Sequence, residues 1–222
     1  MSVSRMGRPR RSGNHPSGET REEILNAAAE LFSNQGFNGT SIGDIANAAG
    51  LQRGSLSYWF PHKMDLLAEL LDRVVTPALD YAAELETVDA PIEVKLGALV
   101  LRDVHAICDG AHSIGAIALW PAARASRFDD FWRKRATLFA NYEALLRRGQ
   151  QTGVVRDTAV RPLTEAVFGL IESPVIWYRH AERDDEDEVA ASLCDSVLRL
   201  CMEDQGSVAA TVEAAFELFA SA

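Results

Sequence analysis

Apolar positions recur at helical spacing along almost the whole chain, and no stretch shows the period of two that a half-buried strand requires. Ile24, Ala28, Leu31 and Phe32 fall at i, i+4, i+7 and i+8 and predict one amphipathic helix. Thr20 with Glu23 fits a capping box, which sets the start near Arg21, and Gly36 supplies the end, since glycine tolerates the left-handed backbone of a helix terminus. Ile42, Ile45, Ala46 and Ala49 predict a short second helix. Thr40 and Ser41 can cap it, with Asp44 near its positive end. Ala49-Gly50-Leu51 makes a tight turn and a third helix starts near Gln52. Residues 41–60 therefore read as a helix-turn-helix, whose second helix can enter a DNA major groove.

Beyond this motif the same spacing predicts a fourth helix from His62 to about Glu86, bent near Pro77 because proline removes a backbone donor. Further helices are expected over 92–109, 113–123, 127–151, 160–179, 186–202 and 208–219, with breaks at Gly110, Pro121, Gly149 to Gly153 and Gly206. The fold class is all-α. Residues 1–17 form a basic arm, disordered when free. Residues 18–78 form a three-helix DNA-binding domain with the following helix. Residues 79–222 form a larger helical regulatory and dimerisation domain.

Several runs are more specific than a bare helix-turn-helix. They are Gly36-Phe37, Thr40-Ser41-Ile42, Asp44-Ile45-Ala46, Ala48-Ala49-Gly50-Leu51, Gly54-Ser55-Leu56 and Phe60-Pro61-His62-Lys63-Met64-Asp65-Leu66-Leu67. In this order they resemble the TetR family of one-component bacterial regulators, over about residues 17–71. The resemblance implies a homodimer on palindromic double-stranded operator DNA, released by a small-molecule effector. On the third helix it points to Gln52, Arg53, Gly54, Ser55, Ser57, Tyr58 and Trp59 for bases and nearby phosphates, and to Thr40, Ser41 and Lys63 for phosphates. Many members carry Tyr and His where this chain has Ser57 and Trp59.

The net charge of −10 is unusual for a DNA-binding chain until it is divided. Residues 1–63 carry seven Arg/Lys and five Asp/Glu, while the remainder carries fifteen and twenty-seven. Acid thus lies away from the expected DNA surface and keeps the chain soluble by self-repulsion. In the arm, Gly7-Arg8-Pro9-Arg10-Arg11 resembles an AT-hook core, so Arg8 and Arg10 are candidates for the minor groove; a nonspecific basic tail is the alternative. No apolar run reaches the roughly 18 residues of a membrane span. Three scattered cysteines fit a reducing cytoplasm rather than a disulfide framework.

Two late stripes are suited to pairing with a second copy: Leu163, Val167, Leu170 and Ile171, and Val189, Leu193, Val197 and Leu200. Candidate effector contacts are His105, Trp120, Arg124, Phe128, Trp132, Phe168, Trp177 and Tyr178; the segment Pro174-Val175-Ile176-Trp177-Tyr178-Arg179 is similar to one in family members that sense lipid or acyl-thioester metabolites, which implies an apolar or amphipathic effector. Aromatics at such spacing also serve simply as core. His105, Cys108 and His112 could share a helix face as metal ligands, but Gly110 interrupts it and no closed zinc pattern occurs, so no metal and no cofactor is expected. Neither G-x-S-x-G, nor H-E-x-x-H, nor a phosphate-cradling glycine loop is present, which argues against an enzyme. A regulator of the same fold that activates or senses a metal is the alternative, and after it an all-helical enzyme.

Overall fold

The computed structural model describes residues 18–108, 126–178 and 185–221. Ten helices order these residues: α1 (Gly18–Gly39), α2 (Ile42–Ala48), α3 (Arg53–Trp59), α4 (Lys63–Thr87), α5 (Ile92–Cys108), α6 (Asp129–Gln151), α7 (Val160–Glu172), α8 (Pro174–Trp177), α9 (Glu186–Cys201) and α10 (Val208–Ala220). Short 3-10 turns at Ser126–Phe128 and Gln205–Ser207 precede α6 and α10. None of these helices is long and apolar enough to cross a membrane.

The first helix begins earlier than the sequence suggested. It starts at Gly18, so Thr20 lies inside it, buried, rather than capping it. Gly36 breaks it as expected, with φ 74° and ψ 159°. The Thr40 hydroxyl then closes the break, within 2.9 Å of the Gly36 carbonyl and 3.1 Å of the Leu31 carbonyl. Ser41 caps α2 through a full capping box: its hydroxyl accepts from the Asp44 amide at 3.1 Å, and its own amide donates to the Asp44 carboxylate at 2.9 Å. Gly50 takes φ 67° in the turn, a left-handed conformation that side-chain-bearing residues resist.

Helix α4 starts from the same device: the His62 amide donates to Asp65 at 2.9 Å. It runs unbroken through Pro77, which leaves the Arg73 carbonyl without its usual helical donor. Leu66, Leu67, Leu70 and Leu71 are buried in its first half, and Val75, Ala78, Tyr81, Ala82 and Leu85 in its second. It packs on α1, α5 and α6, so one hydrophobic core runs from Ile24 and Phe32 through to Val208 and Ala215. Each fully buried leucine of this kind contributes about 1.5–3 kcal/mol.

Helix α5 is the central rod, touching α4, α6, α7, α9 and α10. Gly97 lets it approach closely: a Cβ there would lie 2.8 Å from the Ala215 Cβ and 3.3 Å from the Cys194 sulfur. The helix expected over 160–179 is instead two, because Pro174 cannot continue α7 and opens α8 at its first position. The helix expected over 113–123 lies outside the described residues. Helix α6 ends at Gln151, as expected, and Gly153 turns the chain with φ 76°. Gly97→Ala is expected to destabilise the fold by about 1–3 kcal/mol through overpacking, read from urea unfolding; an unchanged midpoint would show that α9 and α10 yield freely.

Candidate nucleic-acid interface and effector region

Only one side of α3 is anchored. Leu56 is fully buried against the helix-turn-helix core and Trp59 is half-buried, its ring edge-on to Tyr58 at 5.7 Å. Gln52, Arg53, Gly54, Ser55, Ser57 and Tyr58 are all exposed, and Tyr58 is the most exposed large apolar residue among the described residues, at 74%. A continuous face of one cation, hydroxyls, an amide and an aromatic ring is thus held out by a helix pinned from behind. Arg53 has no ion-pair partner among the described residues. Gly54 has open space where a side chain would be, so a nucleic-acid backbone can approach closely there.

Of the phosphate contacts expected at Thr40, Ser41 and Lys63, Ser41 is exposed, while Thr40 and Lys63 are engaged within the chain. Thr40 is 2% exposed, and its one proton is spent on backbone carbonyls. The Ser41 hydroxyl donates to Asp44 at 2.6 Å, and this hydrogen bond together with one from the Ser41 amide holds the Asp44 carboxyl below its usual range. Lys63 donates to the Phe37 and Thr40 carbonyls, with its ammonium 4.2 Å from the centre of the Phe37 ring. Desolvation lowers the Lys63 pKa. Thr40 and Lys63 fasten the end of α1 to the start of α4, and Ser41 caps α2. Arg8 and Arg10 lie outside the described residues.

Two long-range ion pairs continue that fastening: Arg21 with Glu69, and Arg73 with Glu22 at 2.6 Å. From the other side, Arg127 of the 3-10 turn reaches Asp65 at 3.3 Å, and Phe128 beside it is buried. Phe128 therefore belongs to the junction between α4 and α6.

In the larger domain, Phe168 gathers a cluster. Its ring lies 5.0 Å from Phe139 and 5.2 Å from Tyr142, and the Arg135 guanidinium sits over it at 5.2 Å and over Trp132 at 5.9 Å. Glu172 holds Arg135 in a two-pronged pair, both bonds 2.8 Å. Tyr142, fully buried, donates to the carboxylate of Asp103 at 3.3 Å. Burial, then the Glu172 charge, pushes the Asp103 carboxyl up to about 7. Of the expected effector contacts, Trp132 and Phe168 fall in this cluster; Arg135, Tyr142 and Asp103 were not among the residues singled out from the sequence. One signal existed: Asp103 interrupts the apolar run Ala98-Leu99-Val100-Leu101 through Val104.

The other expected contacts do not join this cluster. His105 stacks on Phe219 at 5.2 Å, with Nε2 3.4 Å from Asp187 but without a hydrogen bond. Trp177 is 47% exposed and Tyr178 is buried beside it. Trp120 and Arg124, like His112, lie outside the described residues. Among the described residues no three His, Cys, Asp or Glu side chains form a metal-binding group. Burial pushes the thiols of Cys108, Cys194 and Cys201 up to about 12.

The pairing stripes also need correction. Leu163, Val167, Ile171 and Val197 are buried in the chain's own core and have no surface to offer a second copy. Leu170, Val189, Leu193 and Leu200 are half-buried, beside an outward row of Pro162, Ala166 and Gly169 on α7. A bundle helix turns its strongest stripe inward, so the outward face is one step round, on smaller residues.

Comparison with known proteins fits this geometry. Residues 24–70 match the family model for bacterial regulatory proteins of the tetR family, and residues 89–201 match the tetracyclin repressor-like C-terminal domain. The chain belongs to the tetR family. The crystal structure of Mycobacterium smegmatis AmtR is 31% identical with a TM-score of 0.75, and the match covers 96% of this chain and 98% of that one. The HTH-type transcriptional repressor KstR2 of Rhodococcus jostii is 35% identical over 97 residues, 44% of this chain and 47% of KstR2. The fatty acid metabolism regulator protein of Bacillus subtilis is 26% identical over 80% of this chain and 91% of its own length. For several of the curated relatives the match spans under half of their length, between 24% and 47%. The protein is a DNA-binding, ligand-responsive transcriptional regulator of this family.

Asp103 gives a test of the buried cluster. Between the ordinary carboxyl value of 3.8 and about 7, the folded chain holds a proton that the unfolded chain releases. Stability therefore falls as pH rises through that window, by up to about 1.4 kcal/mol per pH unit, and levels off above it. Asp103→Asn is expected to flatten that slope and to be the more stable form at pH 8. Parallel pH profiles of urea unfolding for the two proteins would show that Asp103 is not held neutral.

Proposed function

We propose that the protein is a repressor, acting in the cytoplasm as a homodimer, that leaves its operator when a small amphipathic molecule occupies the domain around Phe168. In this reading residues 18–78 bind DNA and residues 79–222 bind the effector and the second copy. The supporting observation is the construction of α4. It begins three residues after the recognition helix, is fastened to α1 through Lys63, Glu69 and Arg73, and is packed on α5 and α6. A ligand that moves α5 or α6 must move α4, and with it the spacing of two recognition helices across a dimer.

The effector class follows from the cluster's chemistry. Trp132, Phe139 and Phe168 offer apolar surface, while Arg135 is a cation that a carboxylate or phosphate could draw from Glu172. The name of the Bacillus subtilis relative, a fatty acid metabolism regulator, points the same way. Genomic footprinting with the purified protein supplies the operator. Gel-shift titration on it with octanoyl- and palmitoyl-coenzyme A, against coenzyme A alone, then tests the effector. Release by the acyl thioesters only is expected; no release by either would overturn the effector class and leave the DNA-binding reading standing.

On the DNA side the folded recognition unit is short of positive charge. Residues 18–63 hold Arg21, Arg53 and Lys63 against five acids, and both Arg21 and Lys63 are engaged internally. Arg53 and the arm, with Arg5, Arg8, Arg10 and Arg11, are the cations left for DNA. Arg53→Ala is expected to cost about 1–3 kcal/mol and relax specificity if it reads a base; operator affinity equal to wild type would remove Arg53 from the interface. Deleting residues 1–11 is expected to spare the fold, weaken binding and make the salt dependence shallower by up to about 0.9 per lost phosphate contact. An unaltered slope would make the arm a passive tail.

A further inference from the structure

A cleft of 690 Å³ opens along the outer side of α4, lined by Asp72, Arg73, Thr76, Pro77, Asp80, Tyr81, Glu84, Arg102 of α5 and Phe219 of α10. That volume lies in the range of small-molecule sites. None of the residues clustered around Phe168 lines it. Its two ends differ. At the end nearer the DNA-binding helices the charges are already matched: Asp72 is held by Lys134 and Arg73 by Glu22. At the other end Asp80 and Glu84, one helical turn apart and both exposed, have no ion-pair partner among the described residues, and neither has Arg102.

Between those carboxylates in sequence stands Tyr81. It is 5% exposed, and its hydroxyl is buried without a hydrogen-bond partner among the described residues. Such an orphan costs about 1–3 kcal/mol, and surrounding structure ordinarily removes it. The Phe219 ring lies edge-on to Tyr81 at 6.3 Å and gives the same end an apolar wall. Burial, followed by the nearby Glu84 charge, raises the Tyr81 pKa, so the hydroxyl keeps its proton and an oxygen free to accept.

We propose that this end of the cleft binds a primary ammonium group carried on an aromatic or aliphatic body. An ammonium has three N–H donors and no acceptor. Asp80 and Glu84 are acceptors one helical turn apart, Tyr81 lines the same cleft and its hydroxyl offers a third, and the apolar body lies against Phe219 and Pro77. Across the whole lining three carboxylates face two guanidiniums, so the cleft favours a cation. An anion would meet Arg102 but also both unmatched acids.

The test is calorimetric titration of the full chain at pH 7 and low salt with 2-phenylethylamine, against 2-phenylethanol and 3-phenylpropanoate. The amine is expected to bind and the other two to bind more weakly or not at all. Asp80→Asn with Glu84→Gln is expected to weaken the amine about three- to tenfold. Tyr81→Phe is expected to weaken it about two- to tenfold while keeping or raising thermal stability, since it deletes the orphan group. Arg102→Gln is expected to tighten the amine. Failure of the amine to bind, equal binding of the neutral alcohol, or amine affinity unmoved by the double acid variant would each overturn the proposal. None of these outcomes depends on whether the protein releases DNA with an acyl thioester.

Discussion

Everything in this molecule depends on α4 having to satisfy two cores at once. Its first half buries Leu66, Leu67, Leu70 and Leu71 beside the DNA-binding helices; its second half buries Val75, Ala78, Ala82 and Leu85 against the regulatory bundle. The resulting core has no gap between the halves. A close-packed interior transmits displacement rather than absorbing it. The third helix is therefore not hung on a linker but is mechanically continuous with the larger helical domain.

Charge is allocated to the same end. In a protein with ten net negative charges, cations near the DNA face would be expected to point outward. Instead Lys63 turns inward to two carbonyls and a phenylalanine ring, and Arg21 turns to Glu69. Backbone carbonyls left free where α1 breaks at Gly36 need donors, and a lysine at the first position of α4 is within reach. The geometry of the junction is thereby fixed, and α3 presents hydroxyls, an amide and an aromatic ring with Arg53 as its cation.

The larger domain keeps polar groups inside for a different purpose. A buried carboxyl is costly when ionised, and Tyr142 meets Asp103 with a single long hydrogen bond. Arg135 and Glu172, by contrast, are matched in two places and lie at the edge of the Phe168 cluster. A region with one reluctant acid and one exchangeable ion pair among aromatic rings has more ways to rearrange than a plain hydrocarbon core.

The sequence by itself determined the helices and the order of the parts. The period of 3.6, the glycines at 36 and 50 and the box Ser41 to Asp44 act through neighbours a few residues away, so they are readable without a fold. The residues from Gln52 to Tyr58 that the resemblance pointed to are exposed, apart from Leu56. The break at Pro174 was missed although its signal was local. What only the tertiary structure decided involves partners far along the chain. Lys63 meets Phe37, Asp103 meets Tyr142, and Val167 turns to its own core while Gly169 turns outward. A residue's type fixes which bonds it can make; which side of a helix faces the core, and who stands opposite, is set by how the helices cross, and no spacing within one helix records that.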